Sequence, residues 1–428
     1  MKLLKVVPYP TTILFNIEGV DIIGNYKTGS IVGLTDKGLN FVKKALNGEP
    51  ILMEDLDAYD RELLEALLKY EIVHEEGPIP MKGKNEIEID TVYLHVTNRC
   101  NLHCIGCYSK DNTRNKIEDL PLETINHIIK ELEKYSLKNL IISGGEPFLR
   151  TDLDRIVKYA KEEAMVEKVI ILTNGTCVKE SVLYDIKPYV DHIAVSIDGF
   201  NEENPTYLRD PGIFNKVIQT VKLIKSSGIS VGILPTLHKK NIYHIEEYIK
   251  LAKKLDVGIS FSLLTCNFSN LEECKDFIPS TPELEYLGKY LSSAKTENDD
   301  ILLENMSLEV RRSCEAGKKL ISIAATGDVY PCHMLHIKEF SFGNILNASL
   351  QEILNSPNAK KFRNLDVDDF GECKNCKYRY LCGGGCRANA FYSSRSLLGK
   401  DNYCNMYKEY YKHVVDTLKN LKMERNKK

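Results

Sequence analysis

TVYLHVTNRCNLHCIGCY, residues 91–108, opens as a strand and closes as a cysteine loop. Thr91–Val96 is rich in β-branched and aromatic residues, the composition of a strand. Asn98 and Arg99 interrupt the run, and Cys100, Cys104 and Cys107 follow within eight residues. Thiols this close on one tight loop form a metal-ligand arrangement. Three of them can hold three irons of a cubane cluster and leave the fourth iron open. A structural zinc site is the other reading of the same spacing.

Downstream, strand-like runs keep alternating with amphipathic helical windows. After Thr91–Val96 and Leu122–Tyr135 come Asn139–Ser143 and Leu153–Ala164, then Lys168–Thr173 and Val178–Ile186. His192–Ile197 and Ile213–Ile224 follow, then Val231–Thr236 and Tyr243–Leu255, then Val257–Leu263 and Pro282–Leu291. Successive βα units predict an α/β fold with a parallel sheet and helices outside it. Six units instead of eight predict a partial (β/α)6 barrel over residues 91–304. In such folds chemistry gathers at the C-terminal ends of the strands, which is where the cysteine loop falls.

Residues 1–80 predict a small α+β domain of winged-helix-like outline. Its strands are Thr12–Ile17, Val20–Asn25 and Ser30–Leu34, and its helices Asp36–Leu46 and Leu56–Tyr70. Residues 81–90, polar and preceded by Pro78 and Pro80, read as a linker. From 305 to 428 the alternation stops. This part is loop-rich, holds Cys314, Cys332, Cys373, Cys376, Cys382, Cys386 and Cys404, and ends in a charged helix at Met406–Lys422.

A chain of 428 residues with 43% apolar composition can build two or three cores. Its net charge of −3 offers no general attraction to nucleic acid or to anionic membranes. No apolar run is long enough to span a bilayer. The start, MKLLKVVPYPTT, lacks the apolar stretch of a signal peptide, so a cytoplasmic location is expected. Thirteen cysteines, an odd number, argue against a disulfide framework in such a compartment.

The first loop, CxxxCxxC followed by the aromatic Tyr108, resembles the hallmark of the radical S-adenosylmethionine superfamily, and the resemblance extends over residues 91–300. It implies that Cys100, Cys104 and Cys107 hold a 4Fe–4S cluster. The open iron of that cluster is chelated by S-adenosylmethionine, whose reductive cleavage gives a 5′-deoxyadenosyl radical. Gly144-Gly145-Glu146-Pro147 is similar to the family's GGEP segment, which binds the methionine amino group, and Glu146 can accept from an ammonium. Thr173-Asn174-Gly175 is similar to its TNG turn. Ser196-Ile197-Asp198-Gly199 resembles SxDG, whose Ser meets the methionine or ribose end. Arg209 resembles the arginine that pairs with the methionine carboxylate, although Asp210 stands where a glycine is commoner.

The C-terminal cysteines resemble the seven-cysteine SPASM domain with two auxiliary 4Fe–4S clusters. The resemblance implies Cys314, Cys332 and Cys386 at the first and Cys373, Cys376, Cys382 and Cys404 at the second. No cysteine lies between 275 and 313, so the first auxiliary cluster has an open iron or a ligand from elsewhere, such as Cys266 or Cys274. Otherwise Cys177, Cys266 and Cys274 read as inert small hydrophobes. A pair of zinc sites is the alternative for the whole region. His333 and His336 have metal-like HxxH spacing beside Cys332, but surface or supporting roles fit them better. His95 and His103 flank the first loop, and neither is assigned as a base. His238 and Cys266 fall on loops expected to shape a substrate site.

Residues 1–80 resemble the peptide-recognition domain related to the pyrroloquinoline quinone chaperone, which adds a leader strand to a sheet edge. Together the parts resemble maturases of ribosomally made peptides. The implied partners are a precursor peptide with a leader and a flavodoxin- or ferredoxin-type electron donor. The implied reaction is oxidative thioether or carbon–carbon cross-linking. Epimerisation, decarboxylation and sulfatase-type residue oxidation are enzymatic alternatives, and an iron–sulfur electron carrier is the non-enzymatic one.

Overall fold

The computed structural model describes residues 3–78, 87–135, 137–297, 301–303 and 308–426. Of the linker expected at 81–90, residues 81–86 lie outside the described residues, as does the expected boundary at 304–305.

The N-terminal part runs β1 (Leu3–Leu4), β2 (Val6–Pro8), β3 (Thr12–Ile17), β4 (Val20–Asn25), β5 (Ser30–Leu34), α1 (Asp36–Leu46), β6 (Ile51–Leu52), α2 (Ala58–Lys69) and β7 (Val73–Glu75). Strands β3, β4 and β5 form an antiparallel meander. Thr35 caps α1 by accepting from Gly38 N, and Asp57 caps α2 by accepting from Asp60 N. Val6, Ile23, Leu34, Val42, Leu64 and Leu67 close a core of their own. The three strands and two helices stand where the sequence puts them. The pairs β1–β6 and β2–β7 are additions. At two or three residues per strand they are too short to show a period.

The central part carries β8 (Thr91–Thr97), α3 (Leu122–Leu132), β9 (Asn139–Gly144), α4 (Leu153–Glu162), β10 (Lys168–Thr173), α5 (Glu180–Ile186), β11 (His192–Ile197), α6 (Phe214–Ser227), β12 (Val231–Leu237), α7 (Ile245–Leu255), β13 (Gly258–Leu263), α8 (Leu271–Cys274), α9 (Thr281–Glu297) and β14 (Ile301–Leu303). The six expected strands lie side by side and parallel in chain order, β13-β12-β11-β10-β9-β8. Alternate residues face opposite ways. On β8, Val92, Leu94 and Val96 join the core that includes Ile125, Ile128 and Ile129 of α3. Tyr93 and His95 turn to the other side, the lumen of the partial barrel, where rings of later loops meet them.

Beyond residue 305 the sheet continues, which the sequence reading did not anticipate. β15 (Leu320–Ile323) pairs parallel with β8, and β16 (Asp328–Tyr330) and β17 (Gly343–Asn344) follow antiparallel. These strands have two to four residues and no α-helix between them, so the βα rhythm is lost although the sheet is not. Then come α10 (Leu350–Leu354), α11 (Pro357–Arg363), α12 (Arg379–Cys382), α13 (Arg387–Ser394) and α14 (Cys404–Asn426). α14 crosses α9 so closely that a Cβ on Gly288 would lie 2.4 Å from Met406 O. Its far end reaches the N-terminal part, where Lys419 pairs with Glu18, and Lys422 with Asp21 and Asp36.

Candidate active site and metal centres

The parallel strands deliver their C-terminal ends to one rim, and the first cysteine loop lies across it. Asn115 clamps the start of this loop, accepting from Cys100 N at 2.7 Å and donating to Cys100 O at 3.0 Å. Ile105 N donates to Leu208 O at 2.7 Å, and Asn270 Nδ2 to Cys107 O at 3.2 Å. Cys100, Cys104 and Cys107 lie within one another's electrostatic reach and are half-buried. Burial raises the Cys100 thiol and pushes Cys104 up to about 11.

The neighbouring turns brace this loop. Gly145 N donates to Thr97 O and Glu146 N to Arg99 O, both at 2.8 Å. A Cβ on Gly145 would fall 2.0 Å from Arg99 O, so only glycine lets the two chains pass this closely. Tyr108 bonds Ser143 through its hydroxyl at 2.7 Å, and Ser109 Oγ donates to Gly144 O at 2.9 Å. Asn174 lies 3.9 Å from Cys100 Sγ through Nδ2. Asp198 gathers the backbone N–H groups of Tyr207, Leu208 and Arg209 on one oxygen. That turn sets Arg209 Nη1 3.9 Å from Cys104 Sγ. Asp210 accepts from His103 N at 3.0 Å, so the acid in the place of a glycine ties the arginine turn to the cysteine loop. Ser196 is half-buried, on the opposite side of β11 from the core residues Val195 and Ile197.

Glu146 also joins two turns. It is fully buried, and its two oxygens accept from Phe148 N, Thr173 Oγ1 and Asn174 N at 2.7–3.1 Å. Three protein donors occupy the carboxylate, which stitches the GGEP turn to the TNG turn. Oε2, with one donor, keeps an acceptor site of its own.

The seven C-terminal cysteines fall into two groups. Cys386 lies in the electrostatic reach of Cys314 and Cys332. Cys382 and Cys404 each feel Cys373 and Cys376, and these four line one cavity of ≈ 350 Å³. Gly383, Gly384 and Gly385, all at φ between 62° and 82°, wrap the chain between the groups. Cys266 and Cys274 belong to neither group; they lie in each other's electrostatic reach, and Cys274 Sγ donates to Asn270 Oδ1 at 3.6 Å.

Residues 94–279 match the radical SAM superfamily, and residues 314–377 match SPASM, an iron-sulfur cluster-binding domain. The chain carries a radical SAM domain followed by a SPASM domain. It is an enzyme whose cofactors are 4Fe–4S clusters and S-adenosylmethionine. Among curated relatives, the AdoMet-dependent heme synthase of Methanosarcina barkeri is 27% identical, over 72% of this chain and 94% of its own length. The antilisterial bacteriocin subtilosin biosynthesis protein AlbA of Bacillus subtilis is 28% identical, over 72% of this chain and 69% of its own. Among solved structures, Streptococcus suis SuiB bound to precursor peptide SuiA shares the fold, with TM-score 0.59 and 15% identity over 92% of this chain and 98% of that one.

The residues at hand fit this superfamily's cofactors. Burial drives the Cys332 and Cys404 thiols up to about 12 and about 11, and Cys386 well above its ordinary value. Such thiols ionise only against a bound cation, so loading iron releases protons. Fixed cations complement the thiolates. Arg114, which no sequence signal singled out, lies 3.7 Å from Cys107 Sγ through Nη2, and its buried Nη1 has no hydrogen-bond partner among the described residues. Arg387, fully buried against Phe370, donates to the carbonyls of Leu397, Gly399 and Gly384 and makes no ion pair among the described residues. A buried guanidinium needs a counter-charge, and Cys373 and Asp401 are the anionic neighbours in its field. Among the described residues no three His, Cys, Asp or Glu side chains converge on the point a single ion would occupy. A cubane takes one thiolate per iron, so its ligands need not converge on one point.

The lumen wall of the radical SAM domain is lined by rings. Tyr93 stacks on His333 at 3.9 Å, Tyr330 on His336 at 4.6 Å, and His95 meets His336 at 4.6 Å. Tyr108 turns its edge to His333 at 5.1 Å. His333 and His336 are thus packed inside the lumen and not at the surface. No helix of the described residues is long and apolar enough to cross a membrane.

Proposed function

We propose that this enzyme modifies a ribosomally made precursor peptide by oxidative thioether or carbon–carbon cross-linking. One observation carries the reading: the first cysteine loop and the Cys314–Cys332–Cys386 group share one lumen. Tyr108, next to Cys107, touches the ring of His333, next to Cys332. A substrate seated there lies between a site that removes a hydrogen atom and a site that takes an electron. When bound, S-adenosylmethionine and its cluster supply a radical able to break an unactivated C–H bond. Cys100, Cys104 and Cys107 would hold that cluster. Gly144, Gly145, Asn174, Ser196 and Arg209 would surround the methionine and ribose, with Glu146 and Asp198 holding their turns. Cys314, Cys332 and Cys386 would hold one auxiliary cluster, and Cys373, Cys376, Cys382 and Cys404 the other.

The N-terminal unit supports the peptide reading. β3 and β5 are the two edges of a three-stranded sheet, each paired only with β4, and a leader strand can pair with such an edge. SuiB is seen bound to a precursor peptide, and AlbA serves subtilosin biosynthesis. The electron enters from a flavodoxin- or ferredoxin-type donor. Decarboxylation of the peptide is the second reading.

The test is the intact mass of the small peptide encoded beside this chain, co-expressed with it under low oxygen. Loss of two hydrogens per event is expected. Loss of carbon dioxide would favour the second reading. An unchanged mass with no deuterium gained from heavy water would sink the peptide assignment.

A further inference from the structure

We propose that the imidazole pair His95–His336 is the proton exit of the oxidative step, with His95 as the group that takes the proton from the substrate. The proposal rests on the peptide cross-linking reading above. His95 sits on the lumen face of β8, between the loop that follows this strand and the loop that follows β16. It is 5% exposed, and its Nε2 has no partner among the described residues. A buried polar atom without a partner in a native interior calls for an explanation. A substrate group docked in the lumen supplies one. The ring edge of Tyr108 lies against His95 at 6.1 Å, so the imidazole borders the first cysteine loop itself.

The path outward runs through neighbouring rings. His95 meets His336 at 4.6 Å between ring centroids. His336 bonds Ser322 Oγ at 2.8 Å through Nε2 and stacks on Tyr330. Beyond it stand Asp328, half-buried at the head of β16, and Asp111, exposed. Both carboxylates favour a proton on His336, while burial opposes it and holds the ring down to about 4. Burial, His336, His333 and Arg114 hold His95 well below its ordinary value. Both imidazoles are therefore neutral at rest, free to accept a proton. The gradient runs from a buried ring facing only cations and neutral rings to one facing two carboxylates. His333 is a packing partner of Tyr93 and Tyr108 and takes no part in the path.

The chemistry requires such an exit. In cross-linking, the substrate carbon loses its hydrogen atom to the deoxyadenosyl radical, which leaves as 5′-deoxyadenosine. A substrate X–H bond then breaks as the C–X bond forms. One proton goes to His95, and one electron goes to an oxidised auxiliary iron–sulfur cluster. The other neutral imidazole beside the first loop, His333, is stacked on Tyr93 and adjoins Cys332.

The experiment compares His95→Gln and His336→Gln with the wild type, all as iron-loaded full chains with the precursor peptide. It measures iron content, cluster absorbance, 5′-deoxyadenosine formed and peptide mass. The expected result for His95→Gln is unchanged iron and absorbance, 5′-deoxyadenosine within about 2-fold, and cross-linked peptide down by about 10²-fold or more. His336→Gln is expected to lose less product and to shift the pH profile of product formation without shifting that of 5′-deoxyadenosine. Variants that keep the wild-type ratio of product to 5′-deoxyadenosine would overturn the proton path alone. So would variants whose iron, absorbance and both products fall together, since that marks a structural role. If the wild type leaves the peptide mass unchanged, the cross-linking reading fails and the proton path falls with it.

Discussion

Arg209 holds its guanidinium 3.9 Å from the Cys104 sulfur, on a turn that Asp198 fixes through three backbone N–H groups. A cation this close to a thiolate leaves its remaining donors free for a carboxylate bound at the adjacent iron. Arg209→Ala is therefore expected to keep its iron and weaken S-adenosylmethionine binding by about 10- to 100-fold, the worth of a charge-assisted contact. Equilibrium binding to the reconstituted enzyme checks this. Unchanged affinity would remove Arg209 from the cofactor site.

Glu146 acts through the two turns it joins. Glu146→Gln keeps one acceptor oxygen but turns an amide N–H₂ toward the N–H of Thr173 Oγ1's neighbour Asn174, or toward Phe148 N, and either way sets donor against donor. A buried unmet donor costs about 1–3 kcal/mol. The variant is expected to unfold at lower denaturant and to bind S-adenosylmethionine more weakly, because Gly145 shifts with the turn. A variant as stable as the wild type would show that the carboxylate is not holding these turns.

How much of this was legible beforehand follows from distance along the chain. CxxxCxxC, GGEP and TNG are local strings, and each lands on the expected strand end. Repeated βα spacing gave the six parallel strands because five helices announce the crossovers between them. β15 escaped notice because four residues next to a hairpin have no period. Arg114, Asn115 and Arg387 escaped for another reason: each acts where segments meet after folding, and a lone Arg or Asn has no pattern. The approach of Cys266 to Cys274 is of the same kind, since four loop residues and a helical turn separate them.

Gly106 lies between two of the first three cysteines at φ +72°, and an added Cβ would meet Leu264 Cδ1 at 2.7 Å and Cys274 Sγ at 3.2 Å. The left-handed backbone alone costs a non-glycine residue about 1–2 kcal/mol. Gly106→Ala is expected to lose the first cluster selectively, leaving about two-thirds of the wild-type iron if three equal clusters are held. Gly106→Ala with Leu264→Ala relieves the nearer contact and is expected to regain part of it. Iron assay on both variants decides. Full iron in Gly106→Ala would show that the loop tolerates the strain.

His238 offers a stability test by pH. It is fully buried against Tyr207 and Phe277, its Nδ1 accepts from Lys240 N, and burial holds its pKa down to about 4 against an ordinary 6.5. Below pH 6.5 the unfolded chain takes up a proton that the folded chain refuses until about pH 4. Stability therefore falls as pH drops through that window, by ~3 kcal/mol at its lower end from this group alone. His238→Gln is expected to flatten that part of the slope. Denaturation midpoints measured from pH 7 down toward pH 4 check the sign. A variant with the wild-type slope would place the acid sensitivity elsewhere.

The two cysteine sets make separable demands. Cys104 faces Arg209 at the rim where S-adenosylmethionine would bind, whereas Cys376 lines the cavity with Cys373, Cys382 and Cys404, at the far side of the glycine wrap from Cys386. Cys104→Ala is expected to abolish reductive cleavage of S-adenosylmethionine, with 5′-deoxyadenosine at background. Cys376→Ala leaves the first loop and its bracing turns intact, so cleavage is expected to persist while finished peptide is lost, because the surplus electron has no route out. Chromatographic 5′-deoxyadenosine and peptide mass, read from the same reaction, separate the two. Cleavage surviving in Cys104→Ala would refute the assignment of the first cluster, and product surviving in Cys376→Ala would show that the second auxiliary group is not needed for electron exit.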